Sequence, residues 1–339
     1  MQLIKWNRDL ILVISAFLGT TPLQNPVHAG EKTIIAHRGA SGYVPEHTLE
    51  AVAMAHAFGA DSIEQDVVLS KDHVPVVLHD IDLEPVTDVA TKFPIRKRAD
   101  GKYYAIDFTL AELKSLNVHE RVDPKSGNAF LTNRFPAKSG QFQIPTLEEE
   151  LQLIQGMNHS RQKSIGIYPE IKSPGFHRNA GVDISKIVLE VLKKYGYSTK
   201  QDLCIVQCFD WSELKQIRKL GYQGRLVFLM GGRRMKLDET SEPVDFNETT
   251  MREIAKVADG IGPALQLVAD QKYKPTNLVA DAHKAGLIVH PYTIRTDMKR
   301  PDDTNPANMF KVILDDAGAD GVFTDQPDAG VTWKNSRTK

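Results

Sequence analysis

The stretch SIEQDVVLSKDHVPVVLHD, residues 62–80, decides the fold. Its two halves, SIEQDVVL and VPVVLH, are short Val- and Ile-rich runs of strand length. Only Ser70-Lys71-Asp72-His73 separates them, far short of the dozen or so residues that a crossover between parallel strands requires. The two strands are therefore expected to pair antiparallel, as a hairpin. Within the first run Glu64 and Asp66 alternate with Ile63, Gln65 and Val67, so both carboxylates project from one face, roughly 7 Å apart along the strand.

Similar runs recur along the chain with amphipathic helical stretches between them: TIIAH (33–37), IGIYPEIK (165–172), LCIVQCF (203–209), GRLVFLM (224–230), DGIGP (259–263), GLIVHPYT (286–293) and GVFTD (321–325). Runs apolar on both faces suit parallel strands covered by helices, and their number suits an α/β fold closed as a (β/α)8 TIM-type barrel better than an open doubly wound sheet. Nine candidate runs for eight places leave one for the antiparallel partner, so the barrel is expected to be irregular at its second and third strands. Between His79 and the capped helix start Pro145-Thr146-Leu147-Glu148-Glu149, about 65 residues lack barrel periodicity and carry Pro94, Gly101, Pro124, Gly127, Pro136 and Gly140. Residues 80–145 read as a small inserted subdomain with one helix at 110–117. Because it leaves the chain after a strand C-terminus, it is expected over the face where barrel active sites form.

Lys5 and Arg8 precede an apolar run from Leu10 to Leu18 and the small-x-small pattern Val27-His28-Ala29, the form of a secretory signal peptide at residues 1–29. The run is about half the roughly 20 residues of a bilayer-spanning helix, and no Cys stands at the cut for lipid attachment. Residues 30–339 are thus expected as an exported domain, in a bacterium periplasmic, without stable membrane insertion. Lys and Arg total 42 against 43 Asp and Glu, so no net field draws nucleic acid to the whole molecule. Cys204 and Cys208, four apart on one strand, are about 13 Å distant, beyond disulfide reach, and are expected to be free and buried.

Chemistry gathers at strand ends. Glu64 and Asp66 on a covered face are costly without a neutralising cation. Glu170 and Lys172 end another run on a shared face, which raises the acids to three. Oxygen-only ligands without His or Cys spacing favour a hard cation, Ca²⁺ in an exported protein with Mg²⁺ the alternative, and argue against zinc. His37, Arg38 and Gly39 end the first strand, the glycine allowing a sharp departure of the backbone, and His79 ends a later one. Two imidazoles, an arginine and a metal site at strand C-termini fit cleavage of a phosphodiester: Arg38, Lys172 and the metal neutralise the anion, while the histidines alternate as base and acid.

HRG (37–39), IEQDV (63–67), VVLHD (76–80), PEIK (169–172), QCF (207–209), GIGP (260–263), VHPYT (289–293), FTDQP (323–327) and the insertion segment DGKYYAIDFTLAELKSL (100–116) together resemble the glycerophosphodiester phosphodiesterase family, in its periplasmic bacterial branch. The resemblance covers nearly all of residues 30–339 and implies a variant (β/α)8 barrel with an inserted subdomain. It implies hydrolysis of glycerophosphodiesters, such as glycerophosphocholine or glycerophosphoethanolamine, to sn-glycerol 3-phosphate and an alcohol. It further implies His37 as general base, His79 as general acid, Arg38 and Lys172 on the phosphate, Glu64, Asp66 and Glu170 on calcium, and Gln207, Phe209 and Tyr292 around the glycerol. Tyr292 stands where many members have tryptophan. Asp325 is read as a strand-end turn. The expected partner is a small-molecule diester, with a homodimer left open; the rival functions are a phospholipase acting on intact lipid and a periplasmic solute-binding protein of two similar lobes.

Overall fold

The computed structural model describes residues 31–137, 139–236, 242–298 and 308–337. The signal peptide read at residues 1–29 lies outside the described residues. Eleven strands are described: β1 Thr33–Ala36, β2 Ser62–Leu69, β3 Pro75–Val77, β4 Gly166–Ile171, β5 Ile205–Cys208, β6 Arg225–Met230, β7 Arg234–Met235, β8 Val244–Asp245, β9 Gly260–Pro263, β10 Ile288–Val289 and β11 Gly321–Thr324. Eight run parallel in the order β10-β9-β6-β5-β4-β2-β1-β11. The ring closes where Phe323 N donates to Pro291 O (2.9 Å) and Ile294 N to Phe323 O (2.8 Å), which ties β11 to the segment after β10. All nine runs read as strands are strands, and β3 is the extra one, antiparallel on β2 with Val67 opposite Val77. A connection of only residues 70–74 leaves the chain no other choice. β7 and β8, a two-stranded ribbon outside the barrel, were not read from the sequence.

Helices separate the parallel strands and their starts are encoded locally. Thr146 caps Leu147–Arg161 in a reciprocal capping box with Glu149, and Thr109 caps Leu110–Ser115 in another with Glu112. Outside the barrel, helix faces close a large apolar core; inside it, Ile35, Tyr168, Ile205, Val227 and Phe323 form a plug. The plug places the site. Side chains alternate along a strand, so the residues two positions further on also point inward, one layer nearer the strand C-termini. They are His37, Glu170, Gln207, Leu229 and Asp325. Where two barrel strands crowd, glycine is required: a Cβ on Gly260 would lie 2.4 Å from Ile288 Cγ1 and 2.7 Å from its carbonyl oxygen. Gly260→Ala is expected to cost about 1–3 kcal/mol through overpacking, read as a lower urea midpoint with unchanged slope.

Residues 80–145 build a core of their own from Leu83, Val86, Val89, Phe108, Leu113, Leu116, Val118 and Ile144, resting on Val68, Val76 and Leu78 of the hairpin. Cys204 and Cys208 are free and buried. Among the described residues no helix is long and apolar enough to cross a membrane.

Candidate active site

Register brings the acids together. β2 pairs β4 with Asp66 opposite Glu170, and β4 pairs β5 with Glu170 opposite Gln207. Glu64 sits two residues earlier on the same face as Asp66. Carboxylate oxygens of Glu64, Asp66 and Glu170 lie within 4.8 Å of one another, and all three residues are buried. Glu64 and Asp66 do not form a solvated acidic face, since all eight residues of β2 are buried.

The triad's surroundings are cationic and polar. Lys172 Nζ lies 2.7 Å from Glu170 Oε1 and 3.8 Å from Asp66 Oδ1. His47 Nε2 is 2.7 Å from Asp66 Oδ2, Gln207 Nε2 donates to Glu64 Oε1 (2.8 Å) and the Arg38 backbone N–H to Glu64 Oε2 (3.0 Å). This last bond exists because Arg38 and Gly39 both take the left-handed conformation, φ 56° and 77°; a Cβ on Gly39 would stand 2.7 Å from the backbone of Ala51.

Burial, reinforced by Asp66, pushes the Glu64 carboxyl well above its usual range. Burial likewise lifts Glu170, against the pull of Lys172, to about 8. Asp66 is held well below its usual range because Lys172 and His47 outweigh its burial. Three acids cannot all ionise here unaided. Asp66 Oδ1 and Gln207 Oε1 are buried without a hydrogen-bond donor. Unused oxygens beside a crowded carboxylate set are what a hard divalent cation takes up, so the residues fit a metal.

Both expected histidines line the same cavity of about 470 Å³, with Arg38, the triad, Gln207, Phe209 and Tyr292. His37 Nδ1 is 2.6 Å from Asp325 Oδ1, and His79 Nδ1 is 2.8 Å from Asp80 Oδ1. Asp325 is kept ionised, despite burial, by His37, Arg295 and Arg134. An ionised carboxylate only accepts, so His37 Nδ1 donates and Nε2 carries the lone pair. Burial and Arg38 lower His37 to about 3 and His79 to about 4, so both rings are neutral in the ligand-free protein. Arg38 Nη1 donates to Glu46 Oε2 (3.0 Å). Phe209, 46% exposed, meets Tyr292 edge-on at 5.8 Å, and Tyr292 OH donates to Met230 O (3.3 Å).

Asp325 stands in a bend directly after β11, as read, but it is also 1% exposed and holds the imidazole of His37, a role that was missed. Its signal was present, because GVFTD places Asp325 two positions beyond Phe323, on the inward face. His47, Glu46, Asp80, Arg121 and Arg134 were also missed. His47 and Glu46 follow HRG on a loop without periodicity, and the two arginines lie in the insertion.

A closed barrel whose strand C-termini carry a carboxylate triad, two carboxylate-held imidazoles and an arginine defines a barrel hydrolase acting on an anionic ester. The described residues form one barrel and not two similar lobes, which sets aside the solute-binding alternative. Residues 37–329 match the model of the glycerophosphoryl diester phosphodiesterase family, and the chain belongs to that family. It is 43% identical to a glycerophosphodiester phosphodiesterase of Haemophilus influenzae, over 92% of each chain. It is 37% identical to one of Treponema pallidum, over 90% of this chain and 92% of the relative. A phosphodiesterase of Oleispira antarctica, solved with the product sn-glycerol-3-phosphate, shares the fold at 22% identity and a TM-score of 0.61, covering 90% of this chain and 98% of the other. The family is metal-dependent.

Proposed function

We propose that the protein hydrolyses glycerophosphodiesters to sn-glycerol 3-phosphate and a free alcohol, with His37 as general base and His79 as general acid. One observation carries the reading: two imidazoles, each with Nδ1 on a carboxylate, share one cavity with Arg38 and the buried triad. The names of the relatives at 43% and 37% identity agree with it.

The steps follow from the residues. The diester anion is drawn to Arg38 and offsets its charge, so that His79, neutral in the free protein, takes up a proton from solvent as substrate binds. His37 Nε2 removes the nucleophile's proton as the new P–O bond forms. His79, its imidazolium stabilised by Asp80, protonates the oxygen of the alcohol as its P–O bond breaks. The nucleophile is water or the substrate's own neighbouring glycerol hydroxyl; the second route passes through a cyclic phosphate. Glu64, Asp66 and Glu170 would hold a divalent cation, calcium in our reading, which supplies neutralisation at the non-bridging oxygens. Lys172 supports the acids through its ion pairs and adds positive charge near the phosphate. Gln207, Phe209 and Tyr292 frame the glycerol.

Release of sn-glycerol 3-phosphate from glycerophosphocholine, with chelator and after readdition of calcium or magnesium, tests reaction and ion together. Vesicles of intact phospholipid in a parallel arm test the lipase alternative, and release from vesicles alone overturns our reading. Asp325→Asn is expected to lower kcat roughly 100-fold or more with little change in stability, since the amide can donate to Nδ1 and so select the wrong tautomer. Export to the periplasm is part of the proposal; mass spectrometry of the secreted protein is expected to find Gly30 at its N-terminus.

A further inference from the structure

Each catalytic imidazole rests on a carboxylate, and each of those carboxylates is gripped from behind by an arginine of the insertion. Arg121 Nη1 donates to Asp80 Oδ2 (2.6 Å), while Asp80 Oδ1 holds His79 Nδ1 (2.8 Å). Arg134 Nη2 donates to Asp325 Oδ2 (2.5 Å), while Asp325 Oδ1 holds His37 Nδ1 (2.6 Å). The two relays have the same form, yet they come from separate parts of the insertion and end on separate strands.

Neither arginine is a loose surface charge. Arg121 also donates through Nε and Nη2 to Glu46 (3.1 and 2.5 Å), and Glu46 Oε2 accepts from Arg38 Nη1. Arg134, its side chain 7% exposed, is fixed by Asp297 and by the carbonyl of Ser41. A carboxylate with one oxygen on an imidazole and the other on a guanidinium cannot turn without breaking a charge-assisted bond. The ring it holds is thereby fixed in rotation and in tautomer.

We infer that the insertion sets the catalytic geometry: Arg121 and Arg134 are positioning residues that lock Asp80 and Asp325, and through them His79 and His37, when the insertion is seated on the barrel. This rests on the hydrolytic reading above. The two arms differ in strength. Asp325 keeps a second cation from the barrel side, Arg295 Nε at 2.8 Å. Asp80 has no such second cation among the described residues.

The test compares Arg121→Ala, Arg121→Lys, Arg134→Ala and Lys92→Ala. Lys92 pairs with Asp88 (3.6 Å) within the insertion and touches neither relay. With metal and substrate saturating, Arg121→Ala is expected to lose roughly 10- to 100-fold in kcat and Arg134→Ala about 10-fold, with KM little changed. Arg121→Lys, which keeps the charge but not the fork, is expected between parent and Arg121→Ala; it carries the test should the alanine variant not fold. Lys92→Ala is expected to keep kcat. A second readout needs neither metal nor turnover: the hydrogen-bonded Nδ1 protons of His79 and His37, followed by NMR in chelated protein. Arg121→Ala should move only the His79 signal and Arg134→Ala only that of His37. Unmoved signals, an unchanged kcat, or an equal loss in Lys92→Ala would overturn the inference. Absence of turnover by the parent would overturn the hydrolytic reading instead, with the histidine signals still deciding this one.

Discussion

His37→Ala is expected to lower kcat on glycerophosphodiesters by about 10²–10⁴-fold, the usual worth of a positioned proton-transfer group, while leaving the protein folded. The fold survives because Asp325 is not stranded by the loss: Arg134 (2.5 Å) and Arg295 (2.8 Å) still neutralise it. His79→Ala is expected to fall as far on natural substrates. The two variants part on an activated ester such as a nitrophenyl phosphodiester, whose leaving group departs without a proton. There His79→Ala should recover most of its activity and His37→Ala should not. Equal recovery in both, or recovery in His37→Ala alone, would reverse or remove the assignment of base and acid; circular dichroism and the thermal midpoint check that both variants are folded.

Chelation is expected to abolish turnover and to change how stability depends on pH. In the metal-free protein burial, with Asp66 adding, raises Glu170 to about 8, well above a free glutamate. The folded state therefore holds a proton that the unfolded state has released. Stability from this group is full below about pH 4.5 and is lost as pH rises through about 8. Glu64, raised for the same reasons, adds in the same direction. A divalent ion requires these carboxylates deprotonated, so its stabilisation should be larger at pH 8 than at pH 5, about 2.7 kcal/mol at a hundred times its dissociation constant. Glu170→Gln is expected to be more stable than the parent in chelator at pH 8 and equal to it near pH 4.5. It should show a much reduced metal-induced rise in melting temperature and at least 100-fold less activity. Lys172 does not lose its only partner, because Asp66 stays 3.8 Å away. A metal response in Glu170→Gln equal to the parent's would remove Glu170 from the ligand set.

The barrel and six residues of the site were legible because their information is local. A strand announces itself within a few residues by its apolar run, and alternation by two assigns Glu64 and Asp66 to one face. The connection Ser70-Lys71-Asp72-His73 excludes a parallel crossover, and the structure bears this out in β2 and β3. His37, Arg38, His79 and Glu170 stand at strand ends for the same reason and line one cavity with Glu64 and Asp66. The insertion resisted reading beyond its helix at Leu110–Ser115, because it is built largely from single bridges and very short helices that leave no period in the sequence.

The sequence alone was enough for the strands of the barrel sheet, for the antiparallel pairing of β2 with β3, and for the acids and imidazoles that stand at the barrel mouth. Only the tertiary structure decided what holds them. Asp325 meets His37 across 288 positions of chain and Arg134 meets Asp325 across 191, and such partners are chosen when the barrel closes and the insertion docks. The physical reason is one of range. Backbone sterics and side-chain alternation act over a few residues, whereas a hydrogen bond between distant loops depends on the position of every element between them.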